Sequence, residues 1–268
     1  MGIIINYALQ VCDVSYNQCS KRYCSSSKTE VTKKCVTSFI ESVSYCSKLN
    51  DSIHNIFIFN DKSSNEVSLF LIRIKEKYSS DTLNIQINNI NSNGIMDSIR
   101  TCWNCLSSQQ GDLIFQVQDD YLFTKDAIYQ MVCMFYQLYN ELHEEPIINP
   151  FNDSFVWKHG CYKYKITPRM IVAGESQYWI QCYDISCSFM TSRSQFNRHW
   201  DYYEKFLNMN PLGDEQNNLE NITLNRILVN RNVLGLMPLE SVGLHMQSEC
   251  EKDLYIDWKK RWDLIPEI

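Results

Sequence analysis

Four successive alternations of a buried-strand pattern with an amphipathic-helix pattern fill the first half of the chain, and they constrain its fold more than any other feature. Residues 3–12, IIINYALQVC, are an apolar run followed by a polar loop to about Thr32. Val36, Phe39, Ile40 and Val43 then recur at helical spacing. The run Ile56-Phe57-Ile58-Phe59 stops at Asn60-Asp61-Lys62-Ser63-Ser64, and Val67, Phe70, Leu71 and Ile74 mark a second helix face. A third strand, Leu83 to Ile87, closes at Asn91-Ser92-Asn93-Gly94 ahead of a helix carrying Ile95, Ile99, Cys102, Trp103 and Leu106. The fourth strand, Asp112 to Val117, leads straight into Gln118-Asp119-Asp120-Tyr121. Thr124 is the expected N-cap of the next helix, whose apolar face is Ile128, Met131, Val132, Phe135, Leu138, Tyr139 and Leu142.

Strand–helix units in succession predict an α/β fold with a mainly parallel, Rossmann-like sheet flanked by helices. In such sheets ligands bind beyond the carboxyl ends of the strands. The polar clusters Asp13, Asn60-Asp61, Asn93-Gly94 and Asp119-Asp120 all fall at those ends. After Pro150 the regularity breaks. Strand patterns at 154–157, 169–173 and 185–190, with helix patterns at 194–208, 218–230 and 254–264, predict an α+β second half. The expectation is a single domain over 1–268, in two halves, 1–123 and 124–268.

Composition narrows the classes. Hydrophobic residues at 44% suffice for a core, and a net charge of −6 argues against broad phosphate contact with nucleic acid. No segment has the length of a membrane span, and the opening Met1-Gly2-Ile3-Ile4-Ile5 lacks the form of a signal peptide. The expectation is a soluble, cytoplasmic protein. Heavy use of Asn, Ile, Lys and Ser with 8 Gly and 6 Pro suggests an AT-rich genome, such as that of a large virus, phage or protist. The 12 cysteines include one CxxC, Cys102-Trp103-Asn104-Cys105, with no second doublet to complete a zinc site. Cys102 falls on an apolar helix face, so buried reduced thiols are expected.

Two adjacent carboxylates at the end of an apolar strand repel by roughly 3 kcal/mol at about 5 Å and an effective dielectric near 20. A divalent cation removes that penalty, and Mg²⁺ or Mn²⁺ is commonly held by one or two carboxylates with phosphates completing the shell. A solvated turn ahead of a helix is the competing reading, since acids favour a helix N-terminus.

Strand, acid pair and helix, after three strand–helix units, resemble the nucleotide-sugar glycosyltransferases of GT-A fold. The segment Gln118-Asp119-Asp120-Tyr121-Leu122 is similar to the Glu-Asp-Asp-Tyr variant of their DxD motif, with Gln118 in place of the first acid. The resemblance implies that Asp120 binds the metal and that Asp119 contacts the ribose or supports the metal. It implies that Asp61, with Asp13 at the neighbouring strand end, belongs to the nucleotide site, Asp61 accepting the imide N–H of uracil. Asn93-Gly94 and Arg100 resemble the stretch packed beside the nucleotide, where glycine permits close backbone approach. His245, ending Val242-Gly243-Leu244-His245, matches the late histidine that supplies a further metal ligand. The implied donor is a nucleoside diphosphate sugar, UDP favoured, with Mn²⁺ or Mg²⁺ as cofactor and a glycan or other hydroxyl-bearing acceptor as partner; the resemblance makes 1–123 the nucleotide-binding half and 124–268 the acceptor-binding half.

In inverting members a carboxylate takes the acceptor proton. Glu220-Asn221-Ile222-Thr223-Leu224-Asn225-Arg226 resembles the segment that carries it, but Asn221 stands where the acid is usual. Glu220 comes first, with Asp214, Glu215 and Asp184 behind it. Glu175, Tyr178 and Trp179 are the candidates for the acceptor site, aromatic faces and acids being suited to sugars. Two other readings stay open. A nucleotidyltransferase would normally carry a Gly-rich loop after the first strand, and there is no glycine between Cys12 and Thr32. An inactive nucleotide- or carbohydrate-binding protein on the same fold would fit the amides Gln118 and Asn221.

Overall fold

The computed structural model describes residues 2–14, 27–152, 169–185, 188–208, 224–246 and 256–268. The first half has the expected order: β1 (Ile3–Val11), α1 (Lys28–Leu49), β2 (Ser52–Asp61), α2 (Asn65–Tyr78), β3 (Leu83–Ile90), α3 (Ile95–Ser108) and β4 (Leu113–Gln118). A short β5 (Tyr121–Phe123) and α4 (Ala127–Leu142) follow. The second half contributes β6 (Ile147–Ile148), β7 (Ile171–Ala173), β8 (Tyr178–Cys182), β9 (Phe189–Ser192), α5 (Arg193–Arg198), α6 (Trp200–Leu207), α7 (Leu224–Asn230), β10 (Gly235–Pro238), β11 (Gly243–His245) and α8 (Trp258–Leu264).

Among the described residues nine strands form one sheet in the order β3-β2-β1-β4-β9-β6-β10-β8-β7, so both halves of the chain share it. From β3 to β4 every pairing is parallel. Beyond β4 the sheet is mixed, because β9 enters antiparallel to both β4 and β6. The α/β class therefore holds, with the long parallel strands in the first half and one further short parallel pair, β6 with β10, in the second. A separate two-stranded ribbon pairs β5 with β11.

Side-chain alternation explains the layering. Ile5, Tyr7, Leu9 and Val11 of β1 face a core shared with α1, α2 and α4, together with Ile56, Ile58, Leu113, Phe115 and Val117. The alternate residues Ala8, Phe57, Phe59 and Ile114 face a second core with α3, α5, α6 and α7. Helices on both faces bury both sides of the strands, which is why these strands read as near-continuous apolar runs.

Local chemistry fixes where the helices begin. Ser27 caps α1 by accepting from the Glu30 N–H at 3.1 Å, and Ser64 caps α2 through the Val67 N–H at 3.3 Å. Gly94 opens α3 at φ 114°, a backbone region that side chains disfavour. The expected cap at Thr124 is displaced: Asp126 occupies the N-cap position of α4, and Thr124 instead donates its hydroxyl to Asp126. Tyr139, Leu142 and Ile95, assigned to apolar faces, are exposed, because they lie at helix ends beyond the reach of the cores. The strand pattern at 154–157 lies outside the described residues. The one at 185–190 shifts to β9, and 169–173 contains β7. Among the described residues no helix is long and apolar enough to cross a membrane.

Candidate functional site

The chain runs β1, β2, β3 outward on one side and then returns to set β4 on the other side of β1. The strand order thus reverses between β1 and β4, and the crevice at the carboxyl ends of that pair is where open α/β sheets hold ligands. Register aligns these ends: Val11 lies opposite Asn60, Asp61 opposite Ile90, and Gln10 opposite Gln118. Asp13, Asp61, Asp119 and Asp120 therefore gather at one edge of the sheet.

Asp119 and Asp120 have opposite surroundings. Asp119 is buried and crowded with donors: Oδ1 accepts from Lys28 Nζ at 2.7 Å, and Oδ2 from Thr32 Oγ1 at 2.9 Å and from the Cys12 N–H at 3.0 Å. The last bond ties the end of β4 across to the end of β1. Asp120 is bonded through Oδ2 to His245 Nε2 at 3.2 Å, while its buried Oδ1 has no hydrogen-bond partner among the described residues. Burial by itself would raise the Asp120 carboxyl, but His245 and then Lys28 hold it well below the usual carboxylate range. Lys28 is correspondingly shifted up: burial opposes its charge, and the Asp119 and Asp120 carboxylates more than compensate.

The β5–β11 ribbon delivers His245. Its register pairs His245 with Tyr121, the two rings stack at 4.7 Å and 8°, and the Met246 N–H donates to the Asp120 carbonyl at 2.8 Å. Two residues 125 apart in sequence are thereby brought into contact. Among the described residues no group of three or more His, Cys, Asp or Glu side chains forms a metal cage. Among the described residues, Asp120 Oδ1 and the His245 imidazole are donors that could serve an ion also held by phosphate oxygens.

Asp13 organises the neighbouring helix start. It accepts from the Ser64 N–H and Ser64 Oγ, each at 2.7 Å, and from Thr29 Oγ1 at 2.8 Å. Burial works against its charge, yet the Ser64 and Thr29 hydrogen bonds outweigh it and lower the carboxyl. Asp61 accepts from the Ser92 N–H at 3.0 Å, which joins the ends of β2 and β3. Asn93 and Gly94 are exposed just ahead of α3, with the Asn93 N–H bonded to Asp97. Arg100 is turned elsewhere: its guanidinium binds Leu207 O and Asn208 Oδ1 and so ties α3 to the end of α6.

Of the other candidates, Glu220, Asp214 and Glu215 lie outside the described residues. Asp184 accepts from Asn225 Nδ2 at 2.8 Å, on the stretch that reaches the same sheet edge at Ser188, whose hydroxyl accepts the Gln118 N–H. Glu175 and Tyr178 are exposed, Glu175 accepting from the Tyr129 hydroxyl at 3.1 Å. The acceptor reading of Trp179 is corrected: its ring is 1% exposed and packs under Gly174, so it is a core side chain with no face for a sugar. The CxxC behaves as expected of buried thiols. Burial pushes Cys102 up strongly and Cys105 to about 11, and among the described residues no disulfide is formed. A cleft of 310 Å³ lined by Asp112, Tyr136, Tyr139 and Arg193 lies at the amino end of β4, opposite the acids.

Lys28, Thr32 and the Cys12 N–H were not among the sequence candidates. The pattern Ser27-Lys28-Thr29-Glu30 has the form of a capping box that starts α1 at Lys28, and Lys28 and Thr32, four apart on one helix face, both reach Asp119.

No protein-family model and no curated protein matches the chain. Solved structures that it is similar to include TarS 1-349 of S. aureus, at 11% identity and TM-score 0.43, covering 74% of this chain and 49% of that one. Another is the mannosyltransferase PcManGT of Pyrobaculum calidifontis in complex with GDP-Man and Mn²⁺, at 8% identity and TM-score 0.46, covering 72% and 46%. A third is the 4-diphosphocytidyl-2C-methyl-D-erythritol synthase of Anaerococcus prevotii, at 14% identity and TM-score 0.44, covering 93% and 94%. The chain spans about half the length of the first two.

Proposed function

We propose that the chain is a metal-dependent glycosyltransferase of GT-A type, moving a sugar from a nucleoside diphosphate to an acceptor hydroxyl. The observation that carries this reading is the Asp120–His245 pair at the β1/β4 crevice, with one carboxylate oxygen buried and bare. Such an oxygen is costly unless a cation meets it. Asp120 and His245 would hold Mn²⁺ or Mg²⁺, and the bound ion would act as a Lewis acid on the leaving diphosphate.

The chain's own residues supply the remainder. Asp61, fixed by the Ser92 N–H, offers its other oxygen to a uracil imide N–H, which favours UDP. Asp119, fixed by three donors, holds the strand ends together for a ribose at the crevice. The acceptor oxygen bonds to the anomeric carbon as the bond to the diphosphate oxygen breaks, with inversion. The hydroxyl proton passes to a carboxylate, for which Glu220, Asp214 and Asp184 are the proposed set. Glu175 and Tyr178, exposed beside α4, are the proposed acceptor contacts.

A thermal-shift comparison of nucleoside diphosphates with and without Mn²⁺ tests the reading. UDP with Mn²⁺ is expected to raise the Tm of the wild type, and Asp120→Ala to abolish that rise. An equal shift in both proteins would remove Asp120 from the site. Pyrophosphate release from UTP with a sugar 1-phosphate would instead identify a nucleotidyltransferase, and nucleotide binding without hydrolysis or transfer from any UDP-sugar an inactive binding protein.

A further inference from the structure

We propose that Lys28 is a resident cation of this site, which keeps Asp119 out of the metal's coordination shell and itself binds the diphosphate of the nucleotide. The inference rests on the nucleotide-sugar reading and deepens it: charge neutralisation is divided between a fixed ammonium and one exchangeable ion on Asp120 and His245.

Three observations lead to it. Asp119, although half of the acid pair, has both oxygens occupied, by the Lys28 ammonium, the Thr32 hydroxyl and the Cys12 N–H. These three donors fill most of a carboxylate's roughly four acceptor positions, and a divalent ion at the position left would sit against the Lys28 ammonium, which repels it. Asp120, the other half, keeps one oxygen, Oδ1, with no hydrogen bond among the described residues. The two acids are thus divided, one toward an ammonium and one toward a metal.

The second observation is the position of Lys28. It is the first residue of α1, its side chain is 16% exposed, and the carboxylates of both Asp119 and Asp120 attract it. The ammonium therefore stands beside the place where the metal and the phosphates would meet. An ammonium has three donors, and Asp119 engages one of them among the described residues. The third is charge. Asp13, Asp61, Asp119 and Asp120 gather at this edge, and a diphosphate brings more negative charge to it. One divalent ion balances only part of that total, and Lys28 supplies a further unit without dissociating.

A fixed ammonium and a divalent ion repel each other, so the model has a reciprocal signature. In Lys28→Met, Asp119 becomes available as a second carboxylate ligand, and Mn²⁺ binding to the nucleotide-free protein, read from the free-Mn²⁺ EPR signal, is expected to tighten. UDP binding in EDTA, read by calorimetry, is expected to weaken about tenfold, the effect of losing one charge-assisted hydrogen bond. Lys28→Arg keeps the charge and is expected to retain UDP binding in EDTA, with circular dichroism verifying that both variants fold. Unchanged Mn²⁺ and UDP affinities in Lys28→Met would overturn the proposal, as would a parallel loss of both, which marks a merely structural lysine. A wild type that binds no UDP with or without Mn²⁺ defeats the glycosyltransferase reading itself. Wild-type binding that is insensitive to Lys28 defeats only this inference.

Discussion

Asp13 shows how a single carboxylate can hold two elements together. Its oxygens accept the Ser64 N–H and hydroxyl at the start of α2 and the Thr29 hydroxyl in α1, and these bonds lower its carboxyl. A group whose folded pKa is depressed stabilises the fold above its unfolded value, about 4 for Asp, and that stabilisation disappears as pH falls through the folded value. Asp13→Asn is therefore expected to lower the urea midpoint at pH 7, with a gap to wild type that narrows below about pH 4. A gap that stayed constant with pH would take the charge of Asp13 out of the account. Asp119 and Asp120 teach the complementary lesson: neighbours in sequence, they have different partners because successive side chains at a strand end point in different directions.

Among the elements, α1 does most to position the crevice. Beyond its first turn it carries two buried serines that serve the backbone of the next unit. Ser38 Oγ accepts the Phe123 N–H of β5, and Ser42 Oγ accepts the Ile128 N–H of α4, each at 3.0 Å. These bonds seat β5 directly after the acid pair, and β5 in turn carries β11 and His245. Ser38→Ala leaves a buried N–H unsatisfied and is expected to cost about 1–3 kcal/mol in urea denaturation. Because β5 holds β11, the same variant is expected to weaken Mn²⁺ binding. Lost stability with unaltered Mn²⁺ affinity would mean that the ribbon keeps its place without this bond.

At the scale of the whole molecule, the far C-terminus closes the core that the first strands begin. Trp258 and Trp262 of α8 are buried in the core built on β1, α1 and α4. Arg261 Nε donates to the Phe123 carbonyl at 2.8 Å, and Lys34 Nζ to the Trp262 carbonyl at 3.0 Å. Trp258→Ala is expected to destabilise by about 3–5 kcal/mol through the cavity it leaves, measured as a lower urea midpoint with an unchanged slope. A loss below about 1 kcal/mol would show that α8 is not integral to the core.

The period of the apolar residues by itself determined the four parallel strands, their helices and the edge at which the acids collect. Local spacing is sufficient for this, because each element must bury its own face. Asp13, Asp61, Asp119 and Asp120 were legible for the same reason: a polar residue ending an apolar strand is conspicuous. Only the tertiary structure decided the rest. It set β9 antiparallel beside β4, buried Trp179 rather than presenting it, and directed Arg100 to the end of α6. It also divided the acid pair between Lys28 and His245. These depend on contacts between residues tens to more than a hundred positions apart, where packing and charge select the partner and sequence period carries no information.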